Sequence, residues 1–220
     1  MKKVAIIVFP GSNCDHDALH VFKNMDNVKA DFIWHKENDL DFYDIIVIPG
    51  GFSYGDYLRA GAIARFSPIM KAITDEAKKG KKIIGICNGF QILIECGLLP
   101  GSLIINKDIK FLSKMVSLNV INNESAFTHL FNKGDIISMP IAHRQGNYLA
   151  DSKLIEELES NNQIAFKYES VNLNGSVSDI AGILNKDKNI LGMMPHPERA
   201  SDPILGSDGG LNIFKSILEF

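Results

Sequence analysis

The stretch Ile83-Ile84-Gly85-Ile86-Cys87-Asn88-Gly89-Phe90-Gln91 joins a β-branched run to an apolar, helix-like segment that reaches Cys96 and stops at Gly97. A buried strand that turns directly into a helix is the mark of an α/β sheet. The residue at such a turn is lifted above the sheet edge, with a helix N-terminus behind it. Here that residue is Cys87. The positive end of a helix favours thiolate over thiol, and thiolate is the reactive form. Gly85 and Gly89 leave room for a backbone that larger residues would obstruct. Cys87 therefore reads as a nucleophile, with a buried core cysteine as the plain alternative.

Outward from this turn, the same alternation recurs. Val4–Phe9 is a continuous apolar run, Asp31–His35 is a second strand, and Asp44–Ile48, nearly all β-branched, is a third. Helical spacing predicts a helix over Asp15–Met25, and Ser67-Pro68 opens a second one that ends near Lys79. Continuous rather than alternating apolar strands indicate a mostly parallel sheet with helices on both faces. Ligands of such sheets bind beyond the carboxyl ends of the strands. The glycine-punctuated loop Pro49–Asp56 and the Cys87 turn both belong to that edge.

After Pro100-Gly101 the pattern changes. Met115–Ile121, Asp135–Ile141, Ile164–Tyr168 and Asp179–Leu184 form a small antiparallel excursion, interrupted by a helix over Ser152–Glu159 with Asp151 as N-cap. Ile190–Met194 is a last strand and Leu211–Leu218 a closing helix. No repeat or linker divides residues 1–220, so one domain is expected.

Composition narrows the function. Hydrophobic residues make up 45% and charged residues 22%, a soluble globular balance, and the net charge of -3 gives no reason to expect nucleic acid. The apolar run after Met1-Lys2-Lys3 ends at Pro10-Gly11, too early for a signal peptide, and no segment is long enough for a membrane helix. Three cysteines, Cys14, Cys87 and Cys96, form no disulfide framework, which points to a reducing cytoplasm. His16, His20, His35, His129 and His143 show no metal-ligand spacing, so no metal site is expected.

The second chemical segment is Met194-Pro195-His196-Pro197-Glu198-Arg199. Each proline holds the residue before it extended, which stiffens the chain around His196. Residues two apart in an extended segment share a side, which brings Glu198 to His196. A carboxylate on an imidazole orients it as a base. A surface hydrogen bond is the plain alternative.

These motifs resemble the class I, triad-type glutamine amidotransferases, which have a flavodoxin-like fold. Pro10-Gly11-Ser12-Asn13-Cys14-Asp15, Gly50-Gly51-Phe52-Ser53-Tyr54-Gly55-Asp56, Ile141-Ala142-His143 and Gly146-Asn147-Tyr148 narrow the likeness to the glutaminase subunits of phosphoribosylformylglycinamidine synthase. The likeness spans essentially the whole chain. It implies a Cys87–His196–Glu198 triad that hydrolyses L-glutamine. It implies oxyanion donors at Asn88 and in the Gly51-Phe52 turn, and glutamine contact through Gln91, whose plain reading is a solvated helix residue. It also implies a large synthetase partner that carries ATP and Mg²⁺, a small third subunit, and no cofactor in this chain. Arg144-Gln145 stands where the family pattern has Gly-Glu, and Ser113 where it has cysteine. A stand-alone cysteine hydrolase of γ-glutamyl bonds and a non-catalytic binder on the same scaffold are the rival readings.

Overall fold

The computed structural model describes residues 1–169 and 171–220. In chain order the strands are β1 (Lys2–Val8), β2 (Val28–Trp34), β3 (Ile45–Ile48), β4 (Lys82–Ile86), β5 (Ser102–Ile104), β6 (Leu112–Val120), β7 (Ile136–His143), β8 (Asn147–Leu149), β9 (Ile164–Tyr168), β10 (Ile180–Leu184) and β11 (Ile190–Met193). The helices are α1 (Asp15–Lys23), α2 (Pro68–Lys78), α3 (Asn88–Glu95), α4 (Ser152–Ser160) and α5 (Leu211–Glu219).

Nine strands form one sheet in the order β2-β1-β3-β4-β11-β10-β9-β6-β7, and β5 pairs with β8 separately. From β2 to β11 every ladder is parallel; from β11 to β7 every ladder is antiparallel. The antiparallel excursion is thus an extension of the main sheet. Strands β3 and β11 are buried at every residue, as is β4 after Lys82. Since successive side chains point to opposite faces, both faces are covered there. The edge strand β2 alternates instead, leaving Phe32 and Trp34 partly exposed. In β6 and β7 burial alternates only over the second half, as one-sided cover predicts.

Helix α3 is buried through its first six residues and lies on β3, β4 and β11. Helices α1 and α5 meet through Phe22 and Phe214, edge to face at 5.3 Å between ring centroids. Ser67 does sit at the start of α2, but its hydroxyl bonds to Tyr54 Oη at 2.8 Å and makes no cap. Asp151 caps α4 as expected, accepting from the Leu154 N–H at 2.8 Å. No helix among the described residues is long and apolar enough to cross a membrane.

Every parallel strand from β1 to β11 delivers its following loop to one edge of the sheet. Phe9–Cys14 follows β1, Pro49–Asp56 follows β3, Cys87 follows β4, and Met194–Arg199 follows β11. The chemistry-bearing residues of the sequence converge there.

Candidate active site

Cys87 is the residue between β4 and α3, with φ 49° and ψ -101°. A non-glycine residue in this region costs about 1–3 kcal/mol and persists only where its surroundings impose it. The surroundings are visible. The Cys87 N–H donates to Met193 O at 2.8 Å, anchoring the turn to β11. Gly85 and Gly89 do not adopt left-handed conformations; they are small because the turn is crowded. A Cβ on Gly89 would stand 1.9 Å from Ile48 O, and one on Gly85 2.4 Å from Leu93 Cδ1. The glycines let α3 press onto β3 and β4, and the strain falls on Cys87.

His196 reaches the same edge from β11, the parallel neighbour of β4. Its backbone is extended, φ -102° and ψ 91°, as the following proline demands, and its N–H donates to Pro140 O at 2.9 Å. Glu198 comes back to it through a 3₁₀ turn over Pro197–Arg199, not through the extended alternation expected from the sequence. The outcome is the same pair: Nδ1 of His196 lies 2.5 Å from Oε1 of Glu198. Both residues are almost wholly buried. Burial alone would lower the imidazole's pKa. The Glu198 carboxylate and the Cys87 thiolate outweigh it, so the net shift is well upward. His196 Nε2 has no hydrogen-bond partner among the described residues. Cys87 and His196 line one cavity of about 140 Å³, with Cys14, Phe52 and Ala142 in its wall.

A larger cavity of about 330 Å³ shares Cys87, Gly51, Phe52, Phe111 and Ala142 with it. Its polar wall was only partly foreseen. Asn88 follows Cys87 at the first turn of α3; its Oδ1 accepts from the Ser53 N–H at 3.0 Å, and its Nδ2 donates to Gln91 Oε1 at 2.8 Å. Gln91 is buried rather than solvated, because its Nε2 also donates to Gln145 O at 2.6 Å. In the Gly51-Phe52 turn, the Phe52 N–H is already committed to Gly11 O at 3.0 Å. Phe52 is therefore not a free donor, and Gly51 offers the N–H of that turn.

Asp56, Arg144 and Gln145 line this larger cavity and were not assigned to a site from the sequence. The Arg144-Gln145 departure thus falls on the pocket wall beside Cys87. Tyr54 and Asp56 have φ of 53° and 54°, and Tyr54 Oη is tied to His35 Nδ1 at 3.0 Å, so the loop is held in an uncommon shape. That shape turns Asp56 into partial burial, which raises its carboxyl to about 6. His143, the last residue of β7, is buried, with Nδ1 3.2 Å from Asn106 Oδ1. Burial, then the nearby His196, lowers its pKa to about 3, so it is neutral.

Cys14 joins the site from the loop after β1. Its Sγ stands with His196 and Glu198 in a cluster whose ligating atoms lie within 4.8 Å of one another. Two thiols therefore border one imidazole. Cys87 alone occupies the strained strand-to-helix turn; Cys14 precedes α1 with φ -102° and ψ 8°. Burial raises the Cys14 thiol's pKa, against the opposing pull of His196.

Comparisons with known proteins agree with this architecture. A family model described as a CobB/CobQ-like glutamine amidotransferase domain matches residues 1–208. A Thermotoga maritima structure described as PurLQS includes a chain 43% identical to this one; the match covers 99% of this chain and 98% of that one, with a TM-score of 0.91. Two remoter structures share the fold. A glutamine amidotransferase from Thermotoga maritima matches at 17% identity and TM-score 0.63, covering 99% of this chain and 96% of that one. The glutaminase domain of Trypanosoma brucei CTPS, with acivicin bound, matches at 13% and 0.63, covering 100% and 94%. With a strained cysteine at the strand–helix turn and a family match over nearly its full length, this chain belongs to the CobB/CobQ-like glutamine amidotransferases.

Proposed function

We propose that the chain hydrolyses L-glutamine to glutamate and ammonia at Cys87. The ammonia passes to a large ATP-dependent synthetase that converts formylglycinamide ribonucleotide to formylglycinamidine ribonucleotide in purine synthesis. The observation that carries the hydrolysis is the meeting of Cys87, on its strained turn, with the buried His196–Glu198 pair in one cavity. The likeness to a chain of PurLQS at 43% identity supports the synthetase reading. It favours a small third subunit as well, with ATP and Mg²⁺ on the synthetase and none in this chain. A cytoplasmic setting fits three free thiols.

In this reading the Cys87 thiolate attacks the side-chain carboxamide carbon. His196 protonates the departing amine, leaving a γ-glutamyl thioester, and then takes a proton from the water that hydrolyses it. Glu198 holds Nδ1 so that Nε2 faces the reaction and stabilises the imidazolium between the two steps. The upward shift of His196 suits it to hold that proton. The N–H groups of Asn88 and Gly51 stabilise the tetrahedral oxyanion, and the α3 N-terminus adds to them.

The larger cavity takes the amino-acid end of glutamine. Asp56 is the carboxylate there for the α-ammonium, and Arg144 the guanidinium for the α-carboxylate. Gln91 acts less by free hydrogen-bonding capacity than by bracing Asn88 and the Gln145 carbonyl. The experiment is reconstitution with the synthetase. Cys87→Ser should lower glutamine-dependent activity by roughly 10⁴-fold or more while activity with free ammonia persists. Loss of both would refute a separable ammonia source.

A further inference from the structure

Cys14 has no part in the chemistry proposed above, yet its thiol is built into the same buried cluster. Cys14, His196 and Glu198 are 3%, 1% and 2% exposed. Two polar atoms of the cluster are orphaned: His196 Nε2 and Glu198 Oε2 have no partner among the described residues. Catalysis accounts for the first, since Nε2 must face the reacting thiol. It does not account for the second. A buried carboxylate oxygen without a partner costs about 1–3 kcal/mol or more, so Glu198 keeps an acceptor that a ligand can take up.

The donors define which ligand. A thiolate, an imidazole and a carboxylate form the borderline-soft set that Zn²⁺ takes, whereas Mg²⁺ and Ca²⁺ prefer oxygen alone. Zinc bonds of ~2.0–2.3 Å place tetrahedral donors ~3.3–3.8 Å apart; the ligating atoms of the cluster lie within 4.8 Å of one another, and His196 Nδ1 and Glu198 Oε1, 2.5 Å apart, part to admit the ion. Gly50 packs its bare backbone against the cluster, where a Cβ would stand 2.7 Å from His196 Cε1 and 3.2 Å from Cys14 Sγ. Arg199 is pinned to Asp17 at 3.0 Å and donates to Cys14 Sγ at 3.3 Å. The cavity of about 140 Å³ bordered by Phe52 and Phe111 gives entry.

We propose that Cys14, His196 and Glu198 capture a thiophilic divalent cation of the Zn²⁺ class, and that its binding switches the glutaminase off. On capture the Cys14 thiol proton leaves to solvent and the metal–sulfur bond takes its place; no electron is transferred. The cation holds a ring nitrogen of His196, either occupying the base or fixing the ring away from Cys87. The inhibitory half rests on His196 being the base. The binding half rests only on the cluster. Sequence spacing could not reveal the site, because its ligands come from the ends of two different strands.

The test separates the two halves. Co²⁺ added to metal-free protein carrying Cys87→Ser and Cys96→Ser, in which Cys14 is the one remaining thiol, should give a sulfur-to-cobalt charge-transfer band in the near ultraviolet, which reports the Cys14 thiolate. No band would overturn the proposal, whatever the glutaminase does and however a Cys14 variant folds. In activity, micromolar Zn²⁺ should inhibit the wild-type glutaminase at least 10-fold, reversibly with chelator. Cys14→Ser should need at least 10-fold more zinc for the same inhibition. Equal zinc sensitivity in a folded Cys14→Ser protein would overturn the switch. A metal-free wild-type protein that never hydrolyses glutamine refutes the glutaminase reading and leaves the cobalt result standing.

Discussion

Ile86 and Met193 are register partners across the parallel β4–β11 ladder, and the Cys87 N–H donates to Met193 O at 2.8 Å. This pairing explains how two segments far apart in sequence meet. Each leaves the sheet at the same level, one into the Cys87 turn and the other into Pro195-His196. Parallel strands end at one edge by construction, so adjacency in the sheet becomes adjacency in the site.

The His196–Glu198 pair gives a prediction with a definite sign. The folded pKa of His196 is raised, so the pair contributes stability that is complete below the unfolded value near 6.5 and lost as pH rises through the folded value. Glu198→Gln removes the charge that overcomes burial. Urea denaturation should show a loss of roughly 3 kcal/mol at pH 6 and a smaller one at pH 9. Turnover of glutamine should drop by about 10³–10⁴-fold. Equal destabilisation at both pH values would contradict the pairing.

Asp56 makes the pocket sensitive to acid. Its carboxyl is raised to about 6 by burial, so the anion that receives an α-ammonium disappears as pH falls through that value. KM for glutamine should therefore rise below pH 6. Asp56→Asn should raise KM by about 10–100-fold, the worth of a charge-assisted hydrogen bond, and remove the acid limb while kcat changes little. An unaltered KM profile in the variant would place the ammonium elsewhere.

The crowding at the Cys87 turn is testable by stability alone. Gly89→Ala drives a Cβ to 1.9 Å from the Ile48 carbonyl oxygen, a backbone atom that has nowhere to go. We expect a loss of about 2–4 kcal/mol in urea, or failure to fold. Gly80→Ala, at φ +84° with nothing within 4 Å, should cost about 1 kcal/mol from strain only. Comparable losses in the two would dismiss steric closure of α3 on β3.

What the sequence disclosed follows from how local each cause is. Ile45–Ile48 and Ile83–Ile86 are legible as central strands because burial on both faces needs an unbroken apolar run. The start of β2, Val28 to Ala30, carries a lysine and no such run, and β5 and β8 are too short to show a period. The prolines around His196 act on their immediate neighbours, so its extended backbone could be read directly. Polar burial is different. Gln91 and His143 are inside only because the Gln145 carbonyl and Asn106 receive them, and both partners come from remote chain. The commitment of the Phe52 N–H to Gly11, and the approach of Cys14 to His196, are likewise contacts between loops of separate strands.

The most direct measurement is the site of modification by a glutamine-analogue electrophile, because two thiols border His196 and only one sits on the strained turn. Brief treatment of the full chain, followed by peptide mapping, should place a single adduct on Cys87, blocked by excess glutamine and accompanied by loss of glutaminase activity. An adduct on Cys14, or inactivation with Cys87 unmodified, would contradict the assignment of Cys87 as the nucleophile.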